Sequence, residues 1–254
     1  MSETTAVLRA IMMIVAPALL ATVISACGAR DGKGSAPILL FTGTGTSPGD
    51  VAALEAILDS NHLDYATVSS AGLNAMAGDG ITRYRLLIVP GGNFVEIGNS
   101  LTPRTTANIR NAVQHGVSYL GICAGAFLAG SFPQPYRSLN LTSGVQFGFY
   151  AAARDVRKTA VAVTVAGGPT LDQYWEDGPQ LTGWGAVVAK YPDGAPAVVQ
   201  GSLGNGWIVL TGVHPEAPDS WRRGMSFTTP SSTDNAFAAT LIRAALNRTS
   251  LSHF

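Results

Sequence analysis

Charge is scarce in this chain. Of its 254 residues only 13% are Asp, Glu, Lys or Arg, and the sixteen basic residues balance the sixteen acidic ones to a formal net charge of +0. A chain with no basic excess lacks the electrostatic footprint of a nucleic-acid binder, so no DNA or RNA partner is expected. Histidine is equally sparse: His62, His115, His214 and His253 are the only four, scattered without ligand-like spacing, so no metal and no cofactor are expected. The glycine-rich stretch TGTGTSPGD (42–50) is not followed by Lys-Ser or Lys-Thr, which argues against a phosphate-binding loop. Heptads, internal repeats and low-complexity tracts are missing too, which removes coiled coils and solenoids. What remains is 46% hydrophobic with 29 glycines, the composition of a well-buried α/β domain with tight loops.

One long apolar run is present, Ala10–Ile24 behind Arg9, and Pro17 interrupts it. It is too short for a confident spanning helix, which needs about 20 residues. It leads into Ile24-Ser25-Ala26-Cys27, which resembles a bacterial lipobox, in which the cysteine is lipidated and becomes the new N-terminus. The resemblance implies a lipoprotein signal peptide over 1–26, lipidation of Cys27 and a tether over 27–36, with the folded domain over 37–254. An ordinary signal peptide cleaved near Ala26 is the alternative. The implied location is the bacterial cell envelope, with the membrane reached through the Cys27 anchor. Gly28 in place of an aspartate leans towards the periplasmic face of an outer membrane, where the cell has one. With Cys27 acylated, Cys123 is the sole remaining thiol, and an intramolecular disulfide is excluded.

From Ile38 onward, short apolar runs alternate with helical patterns, the signature of a mostly parallel sheet with helices on both faces. ILLF (38–41), YATVSS (65–70), LLIVP (86–90) and VSYLGI (117–122) read as strands. The helix after the first strand has Asp50 as its cap and Val51, Leu54, Ile57 and Leu58 on one face. Pro103 opens a further helix, and AGAFLAG a short one. The second half is richer in strands, with TAVAVTVA, AVVAKY, APAVVQG and WIVLTG, and ends in a helix with Phe237, Leu241, Ala244 and Ala245 facing inward.

The stretch YLGICAGAFLAG (119–130) places Cys123 between a strand and a helix. A helix N-terminus favours a thiolate, and Gly121 and Gly125 permit the tight turn of a nucleophile elbow. A small buried core residue is the competing interpretation of Cys123. Downstream, WIVLTGVHPEAP (207–218) carries His214 and Glu216 on either side of a proline that favours an extended backbone. Positions i and i+2 then point the same way, so Glu216 can orient His214 while the other ring nitrogen serves Cys123 as base. A solvated surface turn is the plainer alternative. The motif order, with VPGGN (89–93), QYWEDGP (173–179) and VVAKYPDGAPAVV (187–199), resembles the class I glutamine amidotransferase-like superfamily. Within it, the likeness is to the N-terminal domain of biotin-protein ligases and spans roughly Pro37 to Asn247.

That resemblance implies a flavodoxin-like three-layer sandwich with a Cys123, His214, Glu216 triad and Gly92 and Ala124 as backbone oxyanion donors. Gly91, Asn93, Phe127, Tyr174 and Trp175 are the implied substrate contacts, although Asn93 could equally satisfy its turn and QYWEDGP could equally be a loop over the later strands. Two features depart from the family. Phe127 stands where glutamine amidotransferases carry a Gln that reads the substrate, and no biotin ligase catalytic domain or synthase domain is recognisable. The expectation is therefore a thiol hydrolase or amidase acting on a small C–N-linked acyl substrate, with a catalytically silent binding or scaffolding protein and a redox-sensing thiol as its competitors.

Overall fold

The computed structural model describes residues 36–153 and 155–254; the apolar leader, Cys27 and the tether through residue 35 lie outside them. The chain runs β1 (Ile38–Phe41), α1 (Pro48–Ser60), β2 (Tyr65–Val68), α2 (Ser70–Ala75), β3 (Leu86–Val89), α3 (Phe94–Ser100), α4 (Pro103–Gln114), β4 (Ser118–Ile122) and α5 (Ala124–Ala129). It continues through β5 (Gly148–Phe149), β6 (Lys158–Val165), β7 (Thr170–Glu176), β8 (Pro179–Gln180), β9 (Ala186–Lys190), β10 (Pro196–Leu203), β11 (Gly206–Thr211), α6 (Asp219–Arg222) and α7 (Ser231–Asn247). Nine strands form one mixed sheet in the order β2-β1-β3-β4-β11-β10-β9-β6-β7, and β5 pairs with β8 apart from it. The first five are mutually parallel and the rest antiparallel.

Strands buried on both faces have to be apolar throughout, which is why ILLF and LLIV show no polar alternation. Ile38 and Leu40 pack on one face with Leu54, Leu58, Leu241 and Ala245, from α1 and α7. Leu39 and Phe41 pack on the other with Leu73, Ile97, Ile109 and Leu128, from α2, α3, α4 and α5. The result is three layers. Among the described residues no helix is long and apolar enough to cross a membrane.

Three local expectations change. Helix α1 is capped by Ser47, whose Oγ accepts the Asp50 N–H at 3.4 Å, so Asp50 lies inside the first turn and its side chain is free for another use. The strand expected over YATVSS stops at Val68, because the Ser69 hydroxyl accepts the Gly72 N–H and starts α2. QYWEDGP is not a loop: its first four residues end β7, the outer strand of the sheet, paired along its length with β6.

Candidate active site

The parallel half determines where the chemistry gathers. Chain order reverses between β1 and β3, the kind of switch point at which loops diverge beyond the carboxyl ends of strands. The loops after β1, β3, β4 and β11 all emerge at that edge.

Cys123 joins β4 to α5 with φ 47° and ψ −100°, a conformation that L-residues avoid and that costs about 1–3 kcal/mol unless its surroundings enforce it. Here they do. The Cys123 N–H donates to Thr211 O on β11 at 2.8 Å, and the Gly125 N–H donates to Pro90 O at 3.2 Å. The buried Tyr119 hydroxyl donates to Gly125 O at 2.7 Å. A Cβ on Gly125 would sit 2.0 Å from Val89 O, and one on Gly121 would sit 2.6 Å from the Gly125 backbone. Both glycines therefore serve the close approach of α5 to β3 and β4. Their absent side chains let the elbow form.

Because β4 and β11 are parallel with Ile122 opposite Thr211, the chain leaving β11 passes beside the elbow. His214 follows at once, its N–H donating to Tyr174 O at 2.8 Å. Its Nδ1 lies 2.9 Å from Glu216 Oε1, and both side chains are buried. The same Nδ1 lies 3.0 Å from Oδ1 of Asp50, a second carboxylate that is also buried. Gly91 makes that contact sterically possible, since a Cβ there would fall 2.1 Å from Asp50 Oδ1 and 2.7 Å from His214 Cε1.

Burial alone would push the His214 pKa down. The neighbouring Cys123, Glu216 and Asp50 outweigh it and hold the imidazole well above its ordinary range. Burial raises Glu216, which His214 only partly offsets. For Asp50 the balance goes the other way: burial is overcome by the charge of His214 and by the polar groups of His214, Ser47 and Glu216 beside it, and its pKa is lowered. Oxygen and nitrogen atoms of Asp50, His214 and Glu216 all lie within 4.8 Å of one another, a grouping that sequence spacing did not suggest. Nδ1 sits at hydrogen-bond distance from both carboxylates, so a cation would have to displace the proton that links them, and the group is better described as an acid–base cluster.

The remaining candidates are placed as follows. Cys123 is 6% exposed, and its thiol donates to Glu176 O at 3.6 Å; no hydrogen bond joins it to His214 among the described residues. Gly92 adopts φ 140° where a Cβ would strike Gly45 O at 2.1 Å, and Ala124 opens α5, where its N–H has no intrahelical acceptor. The Asn93 side chain caps α3, accepting from the Val95 and Glu96 N–H groups at 3.0 and 3.2 Å. The turn explains it without a ligand. Tyr174 lies with its ring 5.7 Å from that of His214, edge-on. Trp175 points into the core at 1% exposure, its indole N–H on Gly178 O, and lines no site mouth. Phe127 is buried against Phe94 and Phe149, at ring separations of 4.9 and 4.7 Å. Trp221, which nothing in the sequence singles out, lies 6.0 Å from His214 and 5.5 Å from Tyr174, ring to ring.

Residues 36–153 match the family described as biotin-protein ligase, N terminal. That stretch includes Cys123 and the Pro90-Gly91-Gly92 turn and stops short of His214. An uncharacterized protein of Chlamydia muridarum is 31% identical over 158 residues, 52% of this chain. The match covers 60% of that protein's own length. A crystal structure of a glutamine amidotransferase superposes with a TM-score of 0.60 at 18% identity, covering 82% of this chain and 98% of that one. The fold is glutamine amidotransferase-like. The PurLQS structure from Thermotoga maritima is similar with a TM-score of 0.55 at 18% identity, covering 81% of this chain and 97% of that one.

Proposed function

We propose that this amidotransferase-like domain is a thiol hydrolase or amidase acting on a small C–N-linked acyl substrate, with Cys123 as nucleophile, His214 as base and Glu216 as its orienting partner. The observation that carries it is the Cys123 elbow, a strained backbone enforced by hydrogen bonds from β4, β11 and the turn after β3, with an oriented and electrostatically raised histidine one strand away. Strain that is over-determined by its surroundings belongs to functional positions more often than to cores.

The chemistry follows from the groups present. The Cys123 thiolate adds to the acyl carbon, forming a C–S bond, while N–H groups such as those of Gly92 and Ala124 receive the negative oxygen. The tetrahedral species collapses with cleavage of the C–N bond, and the His214 imidazolium gives its proton to the leaving amine. Neutral His214 then takes a proton from water, which attacks the thioester; the C–S bond breaks and the acid departs. Glutamine is a poor candidate, since Phe127 lies one helical turn beyond Cys123 amid aromatic rings and offers no polar group to an amino acid headgroup. The reading also places the chain in the bacterial envelope, held by lipid on Cys27. Labelled fatty acid incorporated by the chain and lost in Cys27→Ala tests that part.

The pH dependence of Cys123 alkylation tests the nucleophile. The rate in the unmutated protein should persist well below the pKa of about 8.5 of a free thiol, and His214→Ala should abolish that persistence. A slow rate indifferent to His214 would favour the second reading, a catalytically silent binding protein, which the thiol's hydrogen bond to Glu176 O and its burial support.

A further inference from the structure

We propose that Asp50 and Glu216 form an acid pair holding one proton between them behind His214, so that either carboxylate alone can sustain the imidazolium. Its consequence for Cys123 rests on the nucleophile reading above; the pair itself does not.

The argument begins with a shortage of donors. One Nδ1–H faces two carboxylate oxygens, Glu216 Oε1 at 2.9 Å and Asp50 Oδ1 at 3.0 Å, and it makes its hydrogen bond to Glu216. Asp50 Oδ1 and Glu216 Oε2 are left buried with no donor. A buried carboxylate oxygen without a partner is costly, and two like charges within 4.8 Å of one another disfavour joint ionisation. A single proton shared by the carboxyl groups removes both penalties, as in other buried acid pairs. It leaves one negative charge behind the ring.

Nor is the contact incidental. Asp50 reaches the ring only because position 91 has no side chain, so the turn after β3 is shaped around this approach. Glu216 also lines a groove of about 470 Å³ between α1 and α7, together with Asn235, and Cys123 does not line it. The Glu216 carboxylate is nonetheless fully buried, so the pair is held away from bulk water. The other titratable groups around the ring are Cys123 at the elbow and Tyr174 on β7, whose hydroxyl is engaged by Glu176. Asp50 is therefore a positioning residue: it acts on Cys123 only through His214.

The test is a double-mutant cycle on the full chain, reading the rate of Cys123 alkylation by iodoacetamide in mildly acidic buffer. With one charge shared, Asp50→Asn and Glu216→Gln each leave the other carboxylate ionised, and each should slow the reaction by about threefold or less. The double variant should slow it by more than about tenfold. Two sizeable losses that multiply in the double variant would mean two independent charges and overturn the pair. So would a silent Asp50→Asn beside a Glu216→Gln as severe as the double. If His214→Ala leaves alkylation unchanged, the nucleophile reading fails, and the same cycle is read in Cys123→Ala by the NMR titration of His214, which should keep its raised pKa in each single variant and lose it in the double. Should the double variant not fold, the infrared difference between the unmutated protein and Asp50→Asn at neutral pH decides. A protonated carboxyl band must be lost on substitution; Asp234, a buried carboxyl raised to about 7, contributes equally to both spectra and cancels. No such difference would overturn the proposal.

Discussion

The two halves of the site are held by different physics. Cys123 is positioned by backbone: two glycines, a tyrosine hydroxyl and main-chain hydrogen bonds to β11 and to the turn after β3 lock its dihedrals, and no side chain caps α5. His214 is positioned by side chains, between two buried carboxylates and the rings of Tyr174 and Trp221. Errors at the elbow should therefore be steric and large, whereas errors at the histidine should be electrostatic and visible mainly through pH. The comparison separates stability from reactivity.

The sharpest way to break it is Gly125→Ala. The new Cβ would lie 2.0 Å from a main-chain oxygen, Val89 O, that belongs to a central strand and has nowhere to go. A loss of about 3 kcal/mol is expected, at the upper end of overpacking effects, read as a lowered urea midpoint with unchanged slope. A near-neutral result would show that α5 can slide on the sheet and that the elbow is less constrained than its contacts imply. Tyr119→Phe is gentler. It removes only the hydroxyl that donates to Gly125 O, leaving a buried carbonyl one partner short, for about 1–2 kcal/mol. Because that bond pins the same turn, alkylation of Cys123 should become slower in step with the stability loss. An equal loss of stability with no change at Cys123 would detach the elbow from its support.

The same division governs what could be read from the residues alone. Strands β1, β3, β4 and β11 were legible because burial on both faces makes them continuously apolar, and the elbow was legible because its glycines and cysteine are adjacent in sequence. Strand β7 was not, since Gln173 looks like a surface residue until its amide is seen donating to Asp234 Oδ1 at 2.8 Å across the core. Helix α3 had a usable signal, Asn93 with Glu96 three residues on, a capping pattern that favours the turn over the ligand among the two roles open to Asn93. Asp50 was hidden by its own plausibility: an acidic residue at the start of a helix is well explained as a cap, and only tertiary structure shows Ser47 already in that role. Trp221 sits in a short helix with no periodicity to betray it, so its contact with His214 belongs wholly to the fold.

The subtlest consequence lies on the histidine side, in the pH dependence of stability. The folded-state pKa of His214 is raised above its unfolded value, so the folded protein binds the extra proton. Stability from this source is fully present below the ordinary histidine pKa of about 6.5 and is lost as pH rises through the higher folded value. Melting temperature should accordingly fall across the neutral-to-alkaline range, by about 2–4 °C for each kcal/mol lost in a chain of this size. Cys123 is the largest of the charges that raise His214, so Cys123→Ala should end that fall at lower pH and make it smaller, while leaving the elbow's backbone contacts in place. Glu216 works in the same direction, since its own pKa is raised and its proton is lost on the way up, whereas Asp50, lowered, loses its contribution only towards acid. A fall of the same size, ending at the same pH in Cys123→Ala, would mean that the thiol carries no charge towards the ring, and the two halves of the site would then be neighbours in space without acting on one another.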